Sequence, residues 1–407
     1  VEPQELDPHQ ISGVPEARLA RALFEGLVAH DAEMKVVPAV ASRWEVSSDG
    51  LVYTFHLRPE AKWSDGAPLT AHDFVRSYRR TLSPSLGAPR IETLFHVVGA
   101  ERFAKGELLD FEQTGFKALD AQRLQITLRE PVAFLLNLMT HQEWLPVPLH
   151  VIAKVGPTDR PGNRWTRPET FVGNGAFVLK SWRAGQKIVV SRSPTYWDRA
   201  RTKLDEIHFF PVDNINVEEQ MYRAGQLHIT ANVPIAKITS YQRAAGSPLR
   251  VDPMGGVYFY QFNVKRPPFD DARVRRALAY AVDRDALIRN VSRGGEEPAY
   301  QIIPPGLSGY RSHQSFAADV ARAQELLAAA GYPDGRGFPA AELLYNTSEN
   351  HRAVAEAIQQ MWRKHLKIDV KLTNQEWKVY LDTMSRTHDY QIARAGWVTP
   401  EPHLYLE

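Results

Sequence analysis

The length of the chain is the strongest constraint on its fold. With 407 residues it is longer than a single hydrophobic core organises, because cores stop growing beyond about 250–300 residues. Two or three domains are therefore expected. The sequence shows neither an internal repeat nor a low-complexity linker, so we expect neither a solenoid nor a propeller.

Composition removes several classes of protein. The sequence has no cysteine, which excludes a disulfide scaffold, a cysteine zinc site and a cysteine nucleophile. A net charge of +2 favours neither nucleic acid nor a membrane surface as partner. No apolar run reaches the ~18 residues that cross a bilayer. Val1 follows no basic and apolar leader, so the chain is either cytosolic or a mature secreted protein.

Periodicity predicts a fold in which strands and helices alternate. Apolar and polar residues alternate at 51–57 and in part at 188–192, and residues 206–210 are interpreted as a buried strand. Helix signals stand in three places. They are the segment that Asp270 or Asp271 can cap, residues 316–330, and residues 354–366. This order predicts an α/β or α+β fold with mixed sheets.

Motifs for catalysis are missing. The sequence contains no GxSxG, HExxH, GxxxxGK[ST] or GxGxxG pattern, and Gly173-Asn174-Gly175 is interpreted as a turn into a strand. The 14 histidines lack the spacing of metal ligands, so neither a metal nor a cofactor is expected. An enzyme with paired carboxylates, for example Glu376 and Asp389, stays as an alternative.

Large aromatic residues can fill a core or line a cleft that accepts varied side chains. For Trp63, Trp182, Trp197 and Trp362 we expect the core, where most large aromatic residues lie.

A series of motifs runs in a fixed order from residue 2 to residue 397. They are Glu2-Pro3-Gln4, Leu6-Asp7-Pro8, Phe24-Glu25-Gly26-Leu27, Trp63-Ser64-Asp65-Gly66, Asn174-Gly175-Ala176, Arg192-Ser193-Pro194-Thr195-Tyr196-Trp197, Arg266-Pro267-Pro268-Phe269, Tyr345-Asn346-Thr347-Ser348, Asn374-Gln375-Glu376-Trp377 and Ala393-Arg394-Ala395-Gly396-Trp397. Together they resemble the periplasmic oligopeptide- and dipeptide-binding proteins of ABC importers, above all the oligopeptide and murein-peptide receptors of the enterobacterial type.

The resemblance implies a two-lobed α/β periplasmic-binding-protein fold of class II, three-domain type, with mixed sheets and an interlobe cleft. Residues 1–24 and 149–250 would form the first domain, residues 25–148 the second, and residues 251–407 the third. Relatives extend further at the C-terminal end, so the third domain is expected to be incomplete. The Trp63-Ser64-Asp65-Gly66 motif would supply a tight turn before a helix and no ligand contact.

The resemblance also implies a site in which an extended peptide pairs with strand edges. The residues carried over are Ser12 and Val14 from the first lobe, Tyr258, Phe259, Tyr260 and Gln261 as a pairing strand, His351 and Arg394 at the peptide carboxylate, Gly396 and Trp397 as the strand edge over the peptide, and Trp377 as a pocket wall. A guanidinium suits the carboxylate because its fork of donors fits both oxygens. The alternative for Arg394 is an ordinary surface ion pair.

The sequence departs from the family at the end that would bind the peptide amine. Relatives follow the Trp397 position with Cys-Ala-Asp, whereas this chain continues with Val398-Thr399-Pro400. Ser12 and Gln261 stand where relatives carry acidic residues, and Glu401 matches a later position. Peptides with a free amine would bind weakly, because a buried ammonium without a carboxylate is costly. A blocked peptide, a cell-wall fragment and another anionic ligand remain open.

The predicted function is therefore that of a periplasmic, non-enzymatic solute-binding protein. It would act as a monomer that captures short peptides and delivers them to the membrane permease of an ABC importer, without nucleic acid. The alternatives are a receptor for a modified or non-peptide ligand and a truncated envelope protein that does not transport.

Overall fold

The chain folds into two units, Val1–Pro211 and Val212–Glu407, as its length predicts. The computed structural model describes residues 2–252, 254–304 and 316–398. Within those ranges, no helix combines the length and apolar character that crossing a bilayer requires.

Unit 1 contains nine strands and five α-helices among its described residues. The strands are β1 Val28–His30, β2 Val36–Pro38, β3 Ala41–Val46, β4 Val52–Leu57, β5 Phe116–Ala118, β6 Arg123–Thr127, β7 Phe177–Arg183, β8 Lys187–Arg192 and β9 Glu206–Phe209. The helices are α1 Val14–Leu23, α2 Ala71–Thr81, α3 Ala100–Ala104, α4 Leu135–Leu138 and α5 Leu149–Val155. The strands form a β1-β2 pair, a β3-β4-β6-β5 sheet and a β7-β8-β9 sheet, all antiparallel.

Two separate hydrophobic clusters hold unit 1 together. One lies between residues 27 and 144 and packs α2 against the four-stranded sheet. The other joins residues 6–24 to residues 145–190 and contains α1 and the three-stranded sheet. The three-domain boundaries stay a prediction.

The turn predicted at Trp63-Ser64-Asp65-Gly66 is confirmed and leads into α2. Asp65 Oδ1 accepts a hydrogen bond from the Ala67 N–H at 3.1 Å, and Thr70 and Asp73 form a capping box on α2. Such a box satisfies two backbone donors at the helix start. Trp63 is fully buried, as expected of a structural turn.

A buried ion pair ties the N-terminal segment to α2. The Arg80 guanidinium donates to both carboxylate oxygens of Asp7, at 3.1 and 2.6 Å, and both side chains are almost fully enclosed. Trp165 Nε1 donates to Asp7 at 3.0 Å, and Arg80 also contacts His9 Nδ1 at 2.9 Å. Burial opposes ionisation of Asp7, but the guanidinium outweighs it and lowers the pKa of the carboxyl.

Three of the sequence motifs meet at Glu25. Asn174 clamps the Glu25 backbone, accepting from its N–H at 3.1 Å and donating to its C=O at 2.7 Å. The Glu25 carboxylate accepts from the Tyr196 hydroxyl and from Trp197 Nε1. The Arg58 guanidinium carbon lies 3.7 Å from the Trp197 ring centroid. Glu25 therefore joins segments that lie far apart in the sequence.

Stability is expected to depend on pH through Glu25. Burial raises the pKa of Glu25 to about 7, whereas a glutamate in an unfolded chain has a pKa of about 4.3. The unfolded chain therefore releases this proton first as the pH rises. The free energy of unfolding should fall by up to about 3 kcal/mol between about pH 4 and pH 7.5, relative to a Glu25→Gln variant. Thermal melts of both proteins across this range measure the difference, and parallel pH profiles would contradict it.

Unit 2 contains one mixed sheet and seven α-helices among its described residues. The strands are β10 Gly256–Phe262, β11 Ala341–Asn346, β12 Val370–Gln375 and β13 Ile392–Val398. The helices are α6 Ile215–Arg223, α7 Ile235–Arg243, α8 Ala272–Tyr280, α9 Arg284–Leu287, α10 Val320–Ala329, α11 Glu349–Leu366 and α12 Trp377–Asp382. The sheet order is β10-β13-β11-β12, in which β11 is parallel to β12 and β13, and β10 is antiparallel to β13.

The predicted helices of unit 2 are confirmed. Asp271 caps α8 by accepting from the Arg273 N–H, and α11 covers residues 354–366. Helix α10 begins at Val320, four residues later than the periodicity indicated, because Asp319 caps it there. These three helices pack their apolar faces on one side of the sheet.

Two expectations about burial are corrected by the structure. Residues 206–209 form an edge strand whose side chains are exposed or half-buried, so the interpretation of a buried strand was wrong. Trp63 and Trp362 are buried as expected. Trp182 and Trp197 are only half-buried, so the expectation of the core was wrong for them, and their indole nitrogens donate to Glu2 and Glu25.

Candidate ligand-binding site

Strand β13 has one side that is only partly paired. It pairs with β10 over its whole length but with β11 only through Ile392 and Ala393. Among the described residues, the stretch 394–398 therefore has no partner strand on the side that β11 occupies at the start of β13.

The direction of the backbone groups shows which residues face this open side. The Gln391 C=O accepts from the Asn263 N–H at 2.9 Å, so Gln391 faces β10. Backbone groups alternate in direction along a strand. The N–H and C=O groups of Arg394, Gly396 and Val398 therefore point away from β10, along the open edge.

The two-residue period of the strands divides the predicted site residues between the two faces of the sheet. One face carries Tyr258, Tyr260, Arg394 and Gly396, and the opposite face carries Phe259, Gln261 and Trp397. The structure therefore brings the first four together and separates them from the other three.

Arg394 lies over Tyr258 and close to Gly396. Its guanidinium carbon is 4.7 Å from the Tyr258 ring centroid, and its Nη1 is 3.4 Å from Asn346 Oδ1. A Cβ atom at Gly396 would lie 3.2 Å from Arg394 Nη2, so the glycine leaves room for the guanidinium. No carboxylate of the described residues forms an ion pair with Arg394, unlike Arg266 and its partner Asp389. The surface ion pair considered for Arg394 is therefore absent from the part of the chain that the structure describes.

His351 completes this group from the first turn of α11. Its Nδ1 lies 3.4 Å from the Tyr258 hydroxyl, which is also 3.4 Å from the Tyr260 hydroxyl. Burial, together with the charge of Arg394, lowers the pKa of His351 to about 3. The imidazole is neutral at physiological pH, so Arg394 supplies the positive charge. We call these residues (Arg394, His351, Tyr258, Tyr260 and Asn346) the Arg394 cluster.

The remaining predicted residues of unit 2 belong to packing on the opposite face. Gln261 donates to the Tyr390 hydroxyl at 2.6 Å, and Phe259 and Trp397 pack near Val257. Trp377 stacks on Tyr380, with ring centroids 6.2 Å apart. A ligand role for these side chains stays a prediction.

Ser12 and Val14 lie in unit 1, at the start of α1. Gly13 is the N-cap of this helix, and Val14 is 53% exposed. Glu16 in the first turn is buried and accepts from the Gln4 N–H at 2.9 Å. Ser12 and Val14 are thus available for contact, and their ligand role stays a prediction.

The carboxylates considered for catalysis have other partners. Glu376 caps α12 by accepting from the Lys378 N–H at 2.9 Å, and Asp389 pairs with Arg266 at 2.7 Å. Glu401, compared above with a later family position, lies outside the described residues.

Sequence reasoning missed two contributors. Asn346 belongs to a recognised motif, but nothing in the sequence assigned it to Arg394. Tyr380 donates its hydroxyl proton to the Arg394 C=O. Its position three residues after Trp377 placed it on the same side of a short helix, but only the fold shows that this side meets β13.

A mixed α/β fold in two units fits a solute-binding protein, as do a strand edge without a partner strand and a guanidinium without an acidic partner among the described residues. The chain belongs to the bacterial extracellular solute-binding proteins of family 5, whose middle-region model matches residues 35–406.

Several relatives support this assignment. The chain is 39% identical to the periplasmic oligopeptide-binding protein OppA of Escherichia coli, over the whole chain and 75% of that protein. The solved structure of the E. coli murein tripeptide-binding protein MppA matches with a TM-score of 0.93 and 36% identity, over 100% of this chain and 79% of that one. The structure of OppA of Haemophilus influenzae in complex with RPPGFSPFR matches with a TM-score of 0.91 and 35% identity, over 99% of this chain and 80% of that one. The predicted family and fold class are confirmed.

Proposed function

We propose that this protein captures short oligopeptides outside the cytoplasm and delivers them to an ABC importer. Its similarity to OppA and MppA, which are periplasmic peptide-binding proteins by name, supports this proposal. The observation that carries it is the open edge of β13 next to the guanidinium of Arg394.

The strand edge would hold the peptide main chain. Gly396 and Val398 present N–H and C=O groups that a bound peptide can pair with as an added strand. Main-chain pairing gives affinity that is independent of sequence. Glycine at position 396 keeps the sheet face beside this part of the edge free of a side chain.

The Arg394 cluster would hold the peptide carboxylate. The guanidinium provides charge-assisted hydrogen bonds, which are about twice as strong as neutral ones. The hydroxyls of Tyr258 and Tyr260 add hydrogen-bond donors. His351 is neutral and contributes no positive charge. One cation without an acidic partner in the described residues matches a single anionic group.

The same arrangement supports a binding role without catalysis. Glu376 and Asp389, the carboxylates considered for an enzyme, serve a helix cap and an ion pair. We propose that the protein acts as a monomer in the periplasm, that its partner is the membrane permease of the importer, and that it does not bind nucleic acid.

The proposal is tested with matched ligands. Trialanine and its C-terminal amide differ only in the charge at the end that would meet Arg394. Isothermal titration should show the free acid binding about 30-fold or more tightly, and mass spectrometry should show no cleavage. Equal affinities would overturn the carboxylate assignment, and absence of binding across a library of di- to pentapeptides, with free and with acetylated amines, would overturn the function.

Affinity should be nearly independent of pH in the mildly acidic range. The pKa of His351 is lowered to about 3, and a peptide carboxylate is ionised above about pH 4. Neither group therefore changes its charge between about pH 5 and about pH 7. We expect the dissociation constant of trialanine to change less than about twofold from pH 5 to pH 7. A His351→Gln variant should give the same flat profile. A step in affinity near about pH 6.5 in the parent protein alone would show that His351 titrates.

A further inference from the structure

The strand pairing along the edge of β13 changes at Arg394. Before this residue β13 pairs with β11, and the register ends at Leu344↔Ala393. After it, Gly396 and Val398 have backbone groups with no hydrogen-bond partner outside the β10 ladder among the described residues. The C=O of Arg394 lies at the boundary and faces the same side as these groups.

The C=O of Arg394 already accepts a hydrogen bond from a side chain. The Tyr380 hydroxyl donates to the Arg394 C=O. Tyr380 is 3% exposed and is fixed by its stacking on Trp377 and by packing near Leu344 and Ala393. Burial raises the pKa of Tyr380, so the phenol keeps the proton that it donates.

We infer that Tyr380 ends the peptide-binding edge and thereby sets the register and the length preference at the carboxylate end of the ligand. This inference rests on the proposed function. A peptide that adds to the edge would next donate an N–H to the Arg394 C=O, and Tyr380 already fills that position. The first pair available to the ligand is then at Gly396, and the last peptide residue turns its carboxylate towards the guanidinium of Arg394.

The inference makes Tyr380 a specificity-determining residue that no motif in the sequence indicated. Removing its hydroxyl leaves the Arg394 C=O as a free acceptor on the strand edge. A ligand could then pair one position further along β13. The preference among peptide lengths should shift, while the charge and the aromatic surface of the site stay the same.

The experiment compares the parent protein with Tyr380→Phe on the alanine series from di- to pentapeptide. We expect the affinity for the peptide one residue longer than the preferred one to rise about 3- to 10-fold relative to the preferred peptide. Tyr390→Phe is the matched control, because Tyr390 packs on the same hydrophobic group as Tyr380, and its hydroxyl contacts Gln261 instead of β13. The control should keep the parent length profile.

A ligand-side measurement does not depend on how the variant folds. Ester bonds replace single amide N–H groups of the preferred peptide, one position at a time, with the parent protein. An ester at the position nearest Arg394 should leave affinity unchanged, since Tyr380 occupies that carbonyl, whereas an ester opposite Gly396 should weaken binding about 3- to 10-fold.

The outcomes separate the two proposals. Peptide binding with the same length profile in Tyr380→Phe, or a loss of affinity from the ester nearest Arg394, would overturn the role of Tyr380 and leave the proposed function standing. If the parent protein binds none of these peptides, and none of their N-acetylated forms, the proposed function fails and the inference falls with it.

Discussion

An Arg394→Met variant should bind free-acid peptides about 30- to 3000-fold more weakly than the parent protein. Removing one partner of a desolvated charge pair costs about 2–5 kcal/mol. The Arg394 cluster contains no second cation that could replace the lost charge. Methionine keeps much of the contact with Tyr258. Isothermal titration with trialanine measures the loss, and the C-terminal amide should lose far less affinity.

Two further variants test whether the loss of affinity comes from the guanidinium of Arg394. Arg394→Lys keeps the charge without the fork of donors and should bind with intermediate affinity. Arg363→Met removes an arginine of the same unit from an exposed pair with Asp369 and should bind like the parent protein. If Arg394→Met kept the parent affinity, the carboxylate would have to lie elsewhere.

Asp7→Asn should lower the melting temperature of the ligand-free protein by about 6–20 °C. Breaking a buried ion pair by neutralising one partner costs about 3–5 kcal/mol, and each kcal/mol corresponds to about 2–4 °C in a unit of this size. The Arg80 charge would be left enclosed, with side-chain exposure of only 2%, and Trp165 would lose its charged acceptor. Differential scanning calorimetry follows the transition of unit 1.

The matched control is an exposed pair in the same unit. Lys105 lies 2.7 Å from Glu101, with 56% of its side chain exposed. Lys105→Met should leave the melting temperature close to that of the parent protein, because exposed ion pairs contribute little to stability. An Asp7→Asn protein as stable as this control would mean that water reaches the Asp7–Arg80 pair.

Elements defined by local chemistry were predictable from the sequence. Asp271 caps α8, and the Trp63-Ser64-Asp65-Gly66 turn leads into the capping box of α2, because these contacts span only a few residues. The strand over residues 52–57 follows from its alternating pattern. The edge strand over residues 206–209 was misjudged, because apolar content alone does not show how many neighbours a strand has.

The site was predictable only in part, because it depends on pairing between distant segments. The residue types of β10 and β13 were identified through family resemblance, and the period of two would have separated Tyr258 from Phe259. Strand β13 extends beyond its pairing with β11. This difference depends on strand lengths that the whole sheet sets. Tyr380 joins the site through a contact between a short helix and a strand, and a sequence pattern does not encode such a contact.

The backbone groups of Gly396 and Val398, which have no partner strand on the side of β11 among the described residues, have a consequence for the ligand-free protein in solution. Exposed main-chain donors and acceptors on a strand can template the addition of a second chain. Neither Gly396 nor Val398 carries a charge that would discourage this kind of self-association. A bound ligand that covers the stretch would protect the protein, so a concentrated preparation should stay clear for longer with ligand than without it.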